Sequence, residues 1–189
     1  LLEVLGELDP EGKGLVALEL SALPASVELR EAFQKTYEGL PLDIQLTAEH
    51  HGVAALLHAA PTFFAPELVP WMVDATVGLR GDDTELAPFR EEALASALIL
   101  FGPEQTADVD RLAALITPEK YEKDYDLAKE LVASCKKNAA CYLEALAKSG
   151  ANPEAGFVAV KAATMVGLYA TETDKTSIAE RLPQLRSSD

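Results

Sequence analysis

Phe89-Arg-Glu-Glu-Ala-Leu-Ala-Ser-Ala-Leu-Ile-Leu-Phe-Gly102 decides the fold, because it recurs. Sixty-eight residues later, Phe157-Val-Ala-Val-Lys-Ala-Ala-Thr-Met-Val-Gly-Leu-Tyr-Ala170 repeats the placement of an aromatic, a Ser/Thr, an aliphatic and a second aromatic. A weaker third copy, Val53-Ala-Ala-Leu-Leu-His-Ala-Ala-Pro-Thr-Phe-Phe64, ends thirty-seven residues before Phe101. A helical unit that returns every ~35–45 residues marks a stack of helix pairs, none of which buries its apolar face alone. Such stacks are mostly surfaces for partners, so the repeat bears on function as well as fold.

Composition agrees. The 189 residues are 49% hydrophobic but only 6% aromatic, and Ala and Leu dominate. Small aliphatic residues favour close helix–helix packing, whereas packed sheets need more Val, Ile, Thr and aromatics. Strict apolar/polar alternation is confined to Leu42-Asp-Ile-Gln-Leu46. The expected class is all-α, as one domain over residues 1–189 with about four to five antiparallel helix pairs. Thirty-one acidic residues against sixteen basic leave a net charge of −15. A surface this negative repels phosphate backbones and anionic membranes, which argues against nucleic acid as a partner. It is compatible with a basic protein partner. No run approaches the ~20 apolar residues that span a bilayer. The chain opens at Leu1-Leu2 without Met, as a trimmed or mature fragment would, with any export signal or lipid-attachment Cys upstream.

Punctuation places the helices. Leu1–Leu8 and Leu15–Leu23 read as short helices around Asp9-Pro-Glu-Gly-Lys-Gly14. Ser26 caps a helix with Glu28 and Glu31 in its first turn, stopped by Gly39 and Pro41. Thr47 opens another, which runs to Phe64. Pro66 suits the first position of the next, and Pro70 delays or kinks it. After the turn Gly81–Thr84, Glu85 or Pro88 begins the helix that Phe101-Gly-Pro103 stops. Thr106 caps Ala107–Ile116, and Thr117-Pro-Glu119 starts a further turn. The remaining helices are Asp124–Cys135, Ala139–Lys148, Glu154–Ala170 and Thr176–Leu185, with Arg186–Asp189 as a tail.

The order Pro66-Glu-Leu-Val-Pro-Trp-Met-Val-Asp74, Gly81-Asp-Asp83, then Arg90, Ala93, Ala97-Leu98 and Gly102 resembles a HEAT repeat. In that family a proline-bearing first helix is followed by an Asp-rich turn and a second helix that opens on a basic residue. Ala155–Ala170 with Lys161, Ala162 and Ala163 is a looser copy. The resemblance implies a right-handed α-solenoid over residues 47–185, with residues 1–46 irregular or capping. It also implies scaffold or adaptor work: a non-catalytic module whose protein partner meets surface residues of the second helices, Arg90, Glu91, Glu154 and Lys161. An irregular helical bundle without a repeat relation satisfies the same Ala and Leu spacing.

Cys135 and Cys141 are the only cysteines. On one unbroken helix, six positions rise about 9 Å and turn the side chains apart, which precludes a disulfide. A turn at Lys136–Asn138 between two antiparallel helices would bring the sulfurs together, and Asn138 suits both a left-handed backbone and a helix cap. The bridge is therefore expected if the turn forms. The same arrangement resembles that of exported bacterial HEAT-like proteins, which implies a periplasmic or extracellular location. Two free buried thiols would instead place the chain in the cytoplasm. A metal or redox pair is disfavoured, because Cys-x5-Cys is neither a Cys-x-x-Cys nor accompanied by further ligands.

Catalytic patterns are few. His50 and His51 start a helix, and His58 lies two turns beyond His51, too far to share an ion. HEAT-like iron hydroxylases carry repeated His-Glu pairs; here there is only the reversed Glu49-His50. Gly6-Glu-Leu-Asp-Pro-Glu-Gly-Lys13 has one residue too many for a phosphate loop, and a calcium loop begun at Asp9 would meet Leu20 where its bidentate Glu belongs. Tyr121-Glu-Lys-Asp-Tyr-Asp126 reads as a solvated face rather than an acid–base set. No cofactor, metal or catalytic residue is assigned. The competing class is a small all-α enzyme or ligand-binding bundle with its pocket near His58 and Trp71.

Overall fold

Residues 26–40, 66–149 and 155–185, with isolated positions between 8 and 19, are described by a computed structural model. The helix over 47–64, the alternating Leu42–Leu46, His50, His51, His58, Glu154 and the tail lie outside the described residues. Among the described residues the secondary structure is helical and no strand is present.

The first helix, α1 (Val27–Glu38), starts where Ser26 Oγ accepts the Leu29 N–H at 3.1 Å. That pattern is the side-chain cap the sequence signals. Its first-turn backbone N–H and the Ser26 hydroxyl hold the Glu28 carboxyl below its ordinary value. A 3-10 turn at Pro66–Leu68 leads into α2 (Val69–Val77), so Pro70 falls in the first turn, where an N–H is not needed.

The next helix departs from expectation. It is α3 (Asp83–Leu100), which begins two residues before Glu85 and keeps Pro88 inside it. Thr84 and Pro88 are both exposed, so water can satisfy the carbonyl that Pro88 cannot bond. Thr106 does not act as the cap of the succeeding helix either. Gly102 and Pro103–Gln105 form a 3-10 turn in which the Gln105 side chain accepts the Gly102 N–H at 3.0 Å. Thr106 is the first residue of α4 (Thr106–Ala113), which stops three residues before Ile116.

A 3-10 turn at Pro118–Lys120 precedes α5 (Glu122–Cys135), followed by α6 (Ala139–Ser149) and α7 (Gly156–Tyr169). After a last 3-10 turn, Glu172–Asp174, comes α8 (Lys175–Leu185).

The helix α3 is the hub, packing against α2, α4, α5 and α7. Ala93, Leu94, Ser96, Ala97, Leu98 and Leu100 are all buried, so it is covered on more than one face. Ala93 and Ala97 keep those approaches short. One core cluster is formed by α2 to α5 with Leu40. A second gathers Cys135, Tyr142, Leu143, Ala162, Met165 and Val166. Two helices join the clusters: α5 gives Ala128 and Val132 to the first and Cys135 to the second, while α7 lays Phe157 on the first and Met165 in the second.

The two self-similar stretches are direct neighbours. Phe157 lies beside Leu94 and Ile99, Lys161 reaches Leu98 and Phe101, and Tyr169 abuts Gly102, where no room remains for a Cβ. Contacts advance in the same direction along both chains, so α3 and α7 run parallel.

Leu94 is 1% exposed at the centre of the hub. Leu94→Ala is expected to cost about 2–5 kcal/mol through lost burial and residual cavity, read from the urea unfolding midpoint.

Candidate functional site

Between α3, the 116–124 segment and α7 lies a cleft of about 160 Å³. Its floor is apolar, formed by Leu94, Leu98, Ile99 and Phe157, while Glu91, Lys120 and Asp124 stand at its rim. Lys120 Nζ pairs with Glu91 Oε1 at 2.5 Å. Tyr121, one wall, is fixed by its hydroxyl, which donates to the Ala113 carbonyl at 2.8 Å. Two exposed apolar side chains flank the cleft in sequence: Leu115 precedes Ile116 of its lining, and Val160 lies one turn beyond Phe157. Ligand pockets for small molecules run about 300–1,000 Å³. This cleft is below that range and suits a protruding side chain.

The expected partner residues separate. Glu91 stands at the cleft. Arg90, next to it, turns back along α3 to pair with Asp83 at 2.9 Å and leaves only 13% of its side chain exposed. Glu154 lies outside the described residues. Lys161 is a correction: it is 0% exposed and cannot meet a partner. Its ammonium donates to the carbonyls of Leu98 at 2.8 Å and Phe101 at 2.9 Å, approaches that of Ile99 at 3.4 Å, and sits 4.0 Å from the Phe101 ring centroid. The orphan carbonyls at the end of α3 need donors, and the negative end of the helix dipole favours a cation. The HEAT resemblance implies Lys161 on the outer surface of a second helix; what overrides it is an apolar helix with one long flexible donor facing three acceptors. Burial pushes its pKa down to about 7.

With Lys161 withdrawn, α7 presents no charge to solvent. Gly156, Val160, Ala163, Gly167 and Leu168 are its exposed residues. On a chain that is 25% charged, an uncharged helix face is distinctive.

The cysteine corner forms as expected. Cys135 closes α5, Cys141 lies in α6, and a disulfide joins them across a Cα–Cα distance of 5.3 Å. Asn138 Oδ1 caps α6 by accepting the Cys141 N–H at 3.2 Å. The left-handed position is one that sequence reasoning assigned elsewhere: Lys136, not Asn138, has φ 51 and ψ −117. With the Asn138 N–H bonded to the Cys135 carbonyl at 2.9 Å, this is a type II′ turn, whose first central position favours glycine. The buried Tyr142 donates its hydroxyl to the Lys136 carbonyl at 2.9 Å and holds that geometry. An open hollow of about 630 Å³ lies over this corner, bounded by Tyr169 and Asp174. Its Lys137 is engaged by Glu104 at 2.8 Å.

Tyr121–Asp126 does not assemble an acid–base pair. Tyr125 donates to Asp110 Oδ1 at 2.6 Å, and Lys129 bonds both, at 3.0 Å to Asp110 and 3.1 Å to the tyrosine. Burial and the Asp110 carboxylate raise the Tyr125 pKa. Burial opposes ionisation of Asp110, but the Tyr125 hydroxyl and Lys129 outweigh it and lower its pKa. These shifts keep the phenol protonated and the carboxylate charged, which ties α4 to α5. Trp71 packs half-buried on the first core cluster and lines neither hollow. Among the described residues no group of His, Cys, Asp or Glu could hold a metal, and no helix is long and apolar enough to cross a membrane.

Lys136→Gly is expected to stabilise the oxidised protein by about 1 kcal/mol, since relief of the unfavourable φ exceeds the added freedom of the unfolded chain. Reduction of the disulfide should cost roughly 2 kcal/mol, as the small loop it closes allows. Urea unfolding of both proteins, with and without reductant, measures each.

No family model matches this chain, and neither a curated protein nor a solved structure matches it.

Proposed function

We propose that this chain is a non-catalytic protein-binding module, a HEAT-like stack of helix pairs working in an oxidising, exported location. The observation that carries the reading is the cleft beside α3. It has an apolar floor, room for about one side chain and a rim with Glu91, Lys120 and Asp124, and the exposed Leu115 and Val160 lie next to, or one helical turn from, its lining residues in sequence. An interface needs such a pocket for an anchor side chain more than it needs a large concavity. The chain's net charge of −15 favours a partner segment with basic residues around an apolar anchor.

Parallel packing of α3 on α7 supports the stack, since similar second helices in such repeats lie side by side. The α4 and α5 helices then form the longer link between two copies. The disulfide supports export, because a bridge between the only two cysteines persists where thiols are not kept reduced.

Ala95 is exposed at the cleft, and Glu180 is exposed on α8. A photo-crosslinking amino acid at Ala95, in cells of the protein's own organism, should give one discrete protein adduct, lost when Ile99→Arg, at a half-buried lining position, fills the cleft. The same probe at Glu180 should give none. Absence of an adduct at Ala95, or the same adducts from both positions, would remove the cleft as the docking site.

A further inference from the structure

Glu91, Lys120 and Asp124 stand together at the mouth of the cleft, but they are not equivalent. Lys120, on the 3-10 turn before α5, reaches across to Glu91 on α3 and neutralises it. Asp124 lies half-buried in the first turn of α5, and among the described residues no hydrogen bond or ion pair engages its carboxylate. The mouth therefore keeps one uncompensated negative charge, on its α5 side.

Below the mouth two of the walls are aromatic, Phe157 from α7 and Tyr121 from the 116–124 segment. Tyr121 is fixed at both ends: the Ala113 carbonyl holds its hydroxyl, and its ring meets that of Tyr125 edge-on, with centroids 5.6 Å apart and planes at 78°. Leu94 and Leu98, both buried, close the floor. A space of about 150 Å³ lined by Leu, Ile and Phe is enough to take a benzene ring. This one is about 160 Å³ and open at its mouth. A ring entering beside Phe157 and Tyr121 gains edge or offset contacts that an aliphatic chain of similar size does not.

We infer that the cleft recognises an aromatic side chain whose neighbour in the partner sequence is Lys or Arg, with the ring beside Phe157 and Tyr121 and the cation on Asp124. The inference rests on the cleft's reading as a docking site, and adds the residue type of the anchor and the carboxylate that selects its neighbour. Asp124 lines the same small cleft as the ring walls, so a cation on the residue adjoining the anchor is within its reach. Half-burial screens such a pair less than open water would. The start of α5 tempers the effect, because the positive end of the helix dipole already favours this carboxylate. An acidic neighbour would meet Asp124 and a chain of net charge −15, so the site selects by repulsion as well as attraction.

The probes are the dipeptide amides acetyl-Phe-Arg-amide, acetyl-Leu-Arg-amide and acetyl-Phe-Glu-amide, titrated into the ¹⁵N-labelled chain. The first should shift the amide resonances of Ala95, Ile99 and Phe157, and bind about two- to tenfold more tightly than the leucine probe. The glutamate probe should be the weaker of the two phenylalanine ones. Asp124→Asn should weaken acetyl-Phe-Arg-amide by about two- to fivefold and leave acetyl-Phe-Glu-amide no weaker. Asp124→Lys should reverse the order of the two phenylalanine probes. No binding, equal binding of all three, or an Asp124→Asn variant that binds like the parent overturns the proposal. The ranking on the parent chain decides the matter alone if a variant does not fold.

Sequencing the partner peptide in the Ala95 adduct separates this inference from the docking reading. The crosslinked segment should carry an aromatic residue beside Lys or Arg. A discrete adduct on a segment without that pair keeps the cleft as a docking site and overturns the inference. No adduct, with the dipeptide ranking intact, removes the docking reading and leaves the recognition chemistry.

Discussion

The contact between the Lys161 amine and the last carbonyls of α3 holds the rest of the architecture in register. A helix end buried in a core leaves acceptors that water cannot reach, and each costs free energy unless a donor arrives. The donor comes from a helix sixty residues away in sequence, so satisfying it fixes where α7 lies. That placement sets Phe157 against the first core cluster and Met165 in the second. It also brings Tyr169 onto Gly102. The same contact accounts for the uncharged outer face of α7, because its one charged side chain is used inside.

The second cluster is small and depends on fixed corners. Cys135 and Cys141 tie α5 to α6, Asn138 caps α6, and Tyr142 reaches back to the Lys136 carbonyl. These bonds hold Lys136 in a conformation that a lysine disfavours, and three constraints around one residue are what such a position requires. On the other side, Asp110, Tyr125 and Lys129 join α4 to α5 at the edge of the first cluster. Both corners act on α5, the helix that contributes side chains to both clusters. Polar contacts thus set angles between helices, and apolar burial supplies most of the stabilisation.

For function, the relevant contrast is between charge and its local absence. The chain carries a net charge of −15, and repulsion of that kind keeps a chain from binding indiscriminately. Against it stand the apolar cleft beside Glu91 and the uncharged outer face of α7, on which Val160 is exposed. A partner anchored by one side chain and ringed by basic residues would use both properties at once.

Sequence alone was enough for the all-α class, the Ser26 cap, the α5–α6 turn and its disulfide, and most of the helix boundaries after residue 66. These come from periodicity and from local signals such as Ser, Pro, Asn and Gly, whose effects act within a few residues. The errors have equally local causes: Pro88 is tolerated because the exposed Thr84 carbonyl can use water, and Thr106 is drawn into α4 because the 3-10 turn before it, closed by the Gln105 side chain on the Gly102 N–H, runs straight into the helix. The site was less legible. Glu91 was singled out from its helix, but the cleft needed Phe157 and Lys120, which come from two distant elements. Lys161 was misjudged, since the HEAT resemblance points to the surface while long-range demand for a donor points to the core. Nothing in the order of residues states which helix end will be buried; that is decided only when α3 and α7 meet.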